Sequence, residues 1–126
     1  MNEARIDRGA LEFILAASRN VHPREFTGQL RVEDGVITEV LVIPKSVYGE
    51  GFASTRFDMI PIDRSIKGSV HSHPGRSYRL SDADRVFFGK RGAVHLIVRY
   101  PFGGPDDVAA YDESGERIPL AVVDDA

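Results

Sequence analysis

One stretch of the chain decides the fold and places two histidines shortly before an acidic motif: Val70-His71-Ser72-His73-Pro74-Gly75-Arg76-Ser77-Tyr78-Arg79-Leu80-Ser81-Asp82-Ala83-Asp84. Apolar residues precede the histidines, a proline follows them, and a helical pattern begins near the end of the stretch. This order predicts a strand, a loop and a helix. The histidines then lie at the end of the strand, and the serine and aspartates at the start of the helix.

The two histidines and Asp84 are predicted to be three ligands of one metal ion. Alternate residues of a strand point to the same face, so His71 and His73 project together and Ser72 projects the opposite way. Asp84 follows His73 by eleven residues, which is enough chain for a loop to fold back and bring its carboxylate to the same ion. Two imidazoles and one carboxylate leave a fourth tetrahedral position for water, which is typical of a catalytic zinc.

Each half of the pattern also has a simpler structural explanation. A lone His-x-His is a weak metal signal, and Ser81-Asp82-Ala83-Asp84 matches a helix capping box as well as it matches a ligand motif. The full string is far more specific: His-x-His-Pro, six residues, then Ser-x-x-Asp. The two roles are compatible, because Ser81 can cap the helix through its hydroxyl while it faces the site.

The composition excludes several classes of protein. The chain has 126 residues, no cysteine and a formal net charge of −3, so we expect one domain over 1–126 without disulfides, thiolate metal sites or nucleic-acid binding. The polar N-terminus does not resemble a signal peptide. No apolar run approaches the roughly 18 residues of a membrane span. These features predict a soluble, cytoplasmic protein that does not bind membranes.

The remaining patterns predict a mixed sheet of about six to eight strands with helices packed on it, which is an α/β (α+β) architecture. Asp7 is expected to cap the first helix. The strand over 25–32 is expected to turn four residues to one face: Phe26, Gly28, Leu30 and Val32. The predicted helices cover 8–20 and 81–89, and the predicted strands cover 25–32, 36–43, 52–59, 66–73, 93–100, 108–111 and 118–123.

The combined string resembles the JAMM (MPN-plus) motif of zinc-dependent metalloproteases, and in particular compact archaeal members of the deubiquitinase-like (desampylase) type. The resemblance covers nearly the whole chain and implies the JAMM/MPN fold, a mixed sheet with helices that is related to cytidine deaminase-like folds. Deaminase activity is not expected, because that chemistry uses cysteine ligands. Further stretches that carry the resemblance are His22-Pro23, Glu25-Phe26, Asp58-Met59-Ile60-Pro61, Gly68-Ser69-Val70 and Tyr100-Pro101.

The resemblance also implies a role for each motif residue. It assigns one zinc ion per chain to His71, His73 and Asp84, the general base to Glu25 and the oxyanion donor to Ser81. No motif residue is substituted, so we expect an active enzyme. The other histidines, His22 and His95, are not expected to bind the metal.

The implied reaction is the hydrolysis of a peptide or isopeptide bond after the C-terminus of a ubiquitin-like modifier. A loop with Gly49 and Gly51, together with an edge-like strand from Phe52 to Met59, is expected to hold the extended tail of that modifier. Two alternatives stay open: a JAMM peptidase that acts on sulfur-carrier proteins or short peptides, and a non-catalytic MPN module that binds partners. The sequence does not indicate the oligomeric state.

Overall fold

The computed structural model describes residues 3–42, 65–76 and 94–124. Three of the predicted elements therefore lie outside the described residues: the loop over 44–54, the strand over 52–59 and the helix over 81–89. The described helices and strands are β1 Ala4–Asp7, α1 Arg8–Val21, β2 Thr27–Glu33, β3 Val36–Val42, β4 Ile66–His73, β5 Val94–Arg99, a 3-10 turn Pro105–Asp107, β6 Val108–Tyr111, β7 Arg117–Ile118 and β8 Leu120–Val123.

Helix α1 begins at Arg8, as its sequence predicts, and ends at Val21, one residue beyond the predicted end. The Asp7 carboxylate accepts a hydrogen bond of 3.1 Å from the backbone N–H of Gly9, which satisfies a donor at the first turn. At the other end the His22 N–H donates to the Ser18 carbonyl, and Pro23 follows. Within the described segments no helix is long and apolar enough to cross a bilayer. One stripe of α1 is buried against the sheet: Ala10, Leu11, Ile14, Leu15 and Ser18.

The strands form a single mixed sheet with the order β7-β6-β5-β4-β2-β3-β1-β8. Strand β4 is central: it pairs antiparallel with β2 on one side and parallel with β5 on the other. Alternation along the strands turns apolar residues toward α1, as the sequence predicts for β2. The mixed sheet with a packed helix confirms the predicted fold class. The core on the α1 side includes Phe26, Leu30, Val70, Leu96, Val98, Val108 and Ala110.

The two edge strands of the sheet are consecutive in the sequence. Strand β7 lies at one end of the strand order and β8 at the other, yet only Pro119 separates them. The prediction of one strand over 118–123 is therefore wrong. Pro119 has no N–H to continue a ladder, and its carbonyl instead accepts a hydrogen bond from the Ala4 N–H at 2.8 Å. Strand β1, which pairs β8 with β3, is a further element that the sequence did not predict.

Strand β4 approaches β5 closely at Gly68. A Cβ atom placed on Gly68 would lie 1.9 Å from the Val94 carbonyl oxygen, far inside van der Waals contact. Gly68 is the register partner of Val94, at the start of the parallel pairing. The glycine therefore allows the two strands to run side by side from this point up to the histidines.

Candidate metal centre

The two histidines of the motif lie on one face of β4, as predicted. His71 is buried and His73 is partly buried. Ser72, between them, projects to the other face. There its Oγ accepts a hydrogen bond of 2.6 Å from the Phe26 N–H, while the Ser72 N–H donates to the Phe26 carbonyl at 2.9 Å. Both bonds fix the end of β4 against the residues that lead into β2.

Those bonds also bear on Glu25, the predicted general base. Strands β2 and β4 pair antiparallel, with Thr27 opposite His71, and the Phe26–Ser72 bonds continue this register by one residue. Continued by one residue more, the same register would bring Glu25 opposite His73, on the face that both imidazoles share. Glu25 is exposed and precedes the regular ladder, so its place in the site stays a prediction.

Strand β2 begins at Thr27, two residues later than the sequence predicts. The sequence predicts a strand from residue 25, and the regular ladder begins at Thr27. The Phe26 N–H donates to a side-chain hydroxyl and not to a main-chain carbonyl. The chain at 25–26 therefore follows the strand register without belonging to the regular ladder.

The same register extends to the strands on the other side of β4. His73 is the partner of Arg99 in the parallel β4–β5 pair. Strand β6 pairs antiparallel with β5, with Val98 opposite Val108, so Arg99 faces Asp107. The Arg99 Nε and the Asp107 Oδ1 are 3.1 Å apart. Three polar residues thus form one line across neighbouring chain segments, and continuing the β2 register would add Glu25 as the fourth. The line is here called the terminal row: Glu25, His73, Arg99 and Asp107.

His95 lies on β5, four residues before Arg99, and it is packed in the interior, as the sequence predicts. It is 1% exposed, and its Nδ1 lies 2.7 Å from the Ser69 Oγ. Burial, and secondarily the charge of His71, lowers the pKa of His95 to about 4. The imidazole is therefore neutral at pH 7. His95 is the register partner of Ser69 and lies on the same face of the sheet as His71 and His73.

His22 lies among aromatic rings at the end of α1. Its ring centroid is 4.8 Å from that of Tyr100 and 5.6 Å from that of Phe102. The Arg76 guanidinium lies over the Tyr100 ring at 5.8 Å. His22 is therefore an exposed member of an aromatic cluster at the end of α1, and the expectation that it does not bind the metal stays a prediction.

The donor atoms that the described residues bring together suit a zinc ion. Two imidazoles on one strand face supply the nitrogen ligands that zinc prefers. Asp84 and Ser81, the predicted third ligand and oxyanion donor, lie outside the described residues, so their positions stay predictions. Within residues 3–42, 65–76 and 94–124 no three potential ligands form a cluster.

Sequence reasoning did not single out Arg99 and Asp107. A signal for them exists, because a charged residue that ends an apolar parallel strand lies at the same edge of the sheet as the end of its neighbour. Arg99 ends the run Val94–Arg99, and all five residues before it are buried. Its partnership with Asp107 needs the β5–β6 register, which depends on the length of the turn at 100–107.

Comparison with known proteins gives one curated relative and several solved structures. A protein named "Probable metalloprotease" from Haloferax volcanii is 44% identical over 125 residues, which cover 91% of this chain and 76% of that protein. No family model matches the chain. A solution structure from Desulfitobacterium hafniense, DSY2949, is 18% identical over 97% of this chain and 94% of the other; its TM-score of 0.59 indicates a shared fold alone.

Two solved structures are similar in both sequence and fold. AF2198, a JAB1/MPN domain protein from Archaeoglobus fulgidus, is 31% identical, with a TM-score of 0.72 over 95% of this chain and 96% of the other. A structure described as JAMM, a metalloprotease-like zinc site in the proteasome and signalosome, is 32% identical, with a TM-score of 0.70 over 95% and 97%. With the two histidines placed together on the sheet, these similarities show that the chain belongs to the JAB1/MPN domain family, in its metalloprotease-like JAMM group.

Proposed function

We propose that this protein is a zinc-dependent peptidase that hydrolyses the peptide or isopeptide bond after the C-terminus of a ubiquitin-like modifier. The observation that carries the catalytic part is the pairing of Phe26 with Ser72, which continues the β2–β4 register toward His73. One residue further along this register, Glu25 would come opposite His73, on the face that His71 shares. A carboxylate beside a pair of imidazole ligands is the minimum that metal-assisted hydrolysis needs. The substrate class is supported by the motif resemblance.

In this proposal His71, His73 and Asp84 hold the zinc ion. When bound, zinc supplies Lewis acidity, which polarises the scissile carbonyl and lowers the pKa of a water molecule toward about 7. Glu25 takes the proton of the attacking water, because a carboxylate at this position can accept it at neutral pH. Glu25 then returns the proton to the departing amine, which is a poor leaving group unless it is protonated. Ser81 donates its hydroxyl to the developing oxyanion.

The test compares Glu25→Gln with Glu12→Gln, a change at an exposed carboxylate of α1. Glutamine keeps the shape of the side chain and cannot take a proton. We expect Glu25→Gln to lower kcat by about 10²-fold or more with the zinc content unchanged, and Glu12→Gln to keep full activity. The measurement is cleavage of a ubiquitin-like conjugate, with zinc content determined on the same samples. Full activity of zinc-loaded Glu25→Gln would show that the base is another group.

The substrate is tested with a panel of conjugates, linear fusions, sulfur-carrier proteins and short peptides. Cleavage of ubiquitin-like conjugates that stops on chelation supports the proposal. Cleavage restricted to sulfur carriers or short peptides favours the second enzyme hypothesis, and zinc-free protein without activity favours an interaction module. The expected tail-binding loop with Gly49 and Gly51, and the strand from Phe52 to Met59, lie outside the described residues. Their role stays a prediction, for which a bulky residue at Gly51 is expected to raise KM more than it changes kcat.

A further inference from the structure

The terminal row continues past the metal-binding histidine to a charged pair to which the proposed mechanism gives no role. Arg99 is the register partner of His73 and therefore projects to the metal-binding face. Its side chain is 34% exposed and that of Asp107 is 13% exposed. A guanidinium on the face that would hold a divalent cation repels that cation. Arg99 must therefore contribute something that offsets this repulsion.

We propose that Arg99 and Asp107 position the end of the His-x-His strand, and that the affinity of the metal centre for zinc depends on this pair. The inference rests on the proposed function, since it concerns the same centre. Arg99 acts through His73 and the residues that follow it, and it is a positioning residue.

Asp107 is held on both of its carboxylate oxygens. Its Oδ1 lies 3.1 Å from the Arg99 Nε, and its Oδ2 accepts a hydrogen bond of 2.7 Å from the Gly103 N–H. A mostly buried carboxylate with both oxygens bonded has little freedom to move. Asp107 therefore fixes the direction of the guanidinium, and its negative charge offsets the positive charge that Arg99 brings to the metal-binding face.

The end of β5 also holds Gly75 and Arg76, which follow the strand that carries the histidines. The Arg99 Nη1 donates to the Arg76 carbonyl at 3.3 Å, and the next residue, Tyr100, donates its N–H to the Gly75 carbonyl at 2.8 Å. Two consecutive residues of one chain segment thus bond two consecutive residues of the other. His73 lies two residues before Gly75, and the residue on its other side, Ser72, is bonded to Phe26. The main chain is therefore held on both sides of His73, which limits the positions open to its imidazole.

The charge of Arg99 and its positioning of His73 predict opposite changes in zinc affinity when Arg99 is replaced. If Arg99 acted on the metal only through its charge, its removal would tighten zinc binding. If it orients His73 and the segment after it, its removal weakens zinc binding. Residues that orient metal ligands typically contribute about 10- to 100-fold to metal affinity.

The experiment measures zinc affinity of the metal-free protein by competition with a chromophoric chelator, for wild type, Arg99→Met, Arg99→Lys and Asp107→Asn. Arg31→Met is the matched control. Arg31 is also partly buried, pairs with Glu39 at 2.7 Å and donates to the Ser65 Oγ at 3.0 Å, but it lies toward the other end of β2. Thermal unfolding of each metal-free protein identifies any variant that loses affinity by losing its fold.

We expect Arg99→Met and Asp107→Asn to weaken zinc binding by about tenfold or more, with melting temperatures of the metal-free proteins close to that of Arg31→Met. Arg99→Lys keeps the charge without the two-pronged geometry, so it is expected to stay weak. Arg31→Met is expected to bind zinc as wild type does.

Three results would overturn the inference while the proposed function stands: wild-type zinc affinity in Arg99→Met and Asp107→Asn, tighter binding in Arg99→Met, or a raised KM with unchanged zinc affinity. The last would make Arg99 a substrate contact. If the wild-type protein binds zinc but hydrolyses nothing in the panel, the proposed function fails and the inference is still measured by affinity. A wild-type protein that binds no zinc overturns both.

Discussion

Phe26 and Ser72 are 46 positions apart in the chain, and two hydrogen bonds join them: the Phe26 N–H donates to the Ser72 hydroxyl, and the Ser72 N–H donates to the Phe26 carbonyl. Their pairing sets the register that would bring Glu25, the proposed base, opposite His73, a proposed ligand. Ser72, between the two histidines, therefore contributes to the geometry of the proposed metal centre. It contributes by fixing the relative position of two strands, and its side chain faces away from the metal.

The burial of His95 predicts that the stability of the protein depends on pH. Burial lowers its pKa to about 4 in the folded protein, from the ordinary histidine value of 6.5 that applies to the unfolded chain. Between these values the unfolded chain binds a proton that the folded protein does not. The free energy of unfolding is therefore expected to fall as the pH decreases from 6.5 toward 4. A cation at His71 opposes protonation of His95 in the same direction, so the sign holds with metal bound.

Urea denaturation of wild type and His95→Gln across this pH range measures the effect. Glutamine has no proton to gain, so the decline in stability is expected to be shallower in His95→Gln than in wild type. His22→Gln is the control, since His22 is exposed. Equal slopes in wild type and His95→Gln would contradict the assignment of this titration to His95.

At the scale of elements, the close contact of β4 with β5 gives a sharp prediction at Gly68. A methyl group there would lie 1.9 Å from a main-chain oxygen, which a side-chain rotation cannot relieve. We expect Gly68→Ala to lower the free energy of unfolding by about 3 kcal/mol. Gly104→Ala is the control, because a Cβ on Gly104 meets nothing within 4 Å. Chemical denaturation measures both, and similar stabilities for the two variants would contradict the predicted clash.

The sequence predicts some of these elements well and others poorly, for physical reasons. Helix α1 has a capping aspartate, a clear apolar stripe and a terminal proline, and its bounds agree with the prediction to within one residue. Strand β4 is recognisable from its histidines and Pro74. Strand β1 is four residues long and carries two buried apolar residues, Ala4 and Ile6, which is too little for a periodic signal. The separation of β7 from β8 depends on Pro119 and on tertiary pairing with β1.

The site divides in the same way. Local spacing predicts that His71 and His73 share a face, and the structure confirms it. The family resemblance implies the role of Glu25, and the β2–β4 register supports it, because its continuation past Phe26 would bring that residue opposite His73. Arg99 and Asp107 depend on two further registers, one parallel and one antiparallel. Such long-range pairings are not encoded in any short pattern, so the terminal row becomes visible only in the folded protein.

At the scale of the whole molecule, the C-terminal strand completes the sheet against the N-terminal strand. Strand β8 pairs with β1, and its alternate residues Leu120 and Val122 pack against the core, while Ala121 does not belong to the core cluster. We expect Val122→Asp to lower the free energy of unfolding by about 2 kcal/mol more than Ala121→Asp does. Thermal and urea unfolding measure the difference.

This prediction concerns the whole sheet and not a fraying end. Because β1 also pairs with β3, loss of β8 is expected to expose the amides of β1 to hydrogen exchange in Val122→Asp. The amides of β5 serve as the internal reference. Protection of β1 at the wild-type level in Val122→Asp would show that β8 is an independent appendage.

The pairing of distant segments has a consequence for how the enzyme becomes active after synthesis. The terminal row joins parts of the chain that start at Glu25 and end at Asp107, and the ion pair of Arg8 with Asp124 spans 116 positions. Proteins dominated by such contacts have a high contact order and fold slowly. Catalytic competence is therefore a late product of folding, and in a refolding experiment recovered hydrolysis should follow helix formation with a measurable delay.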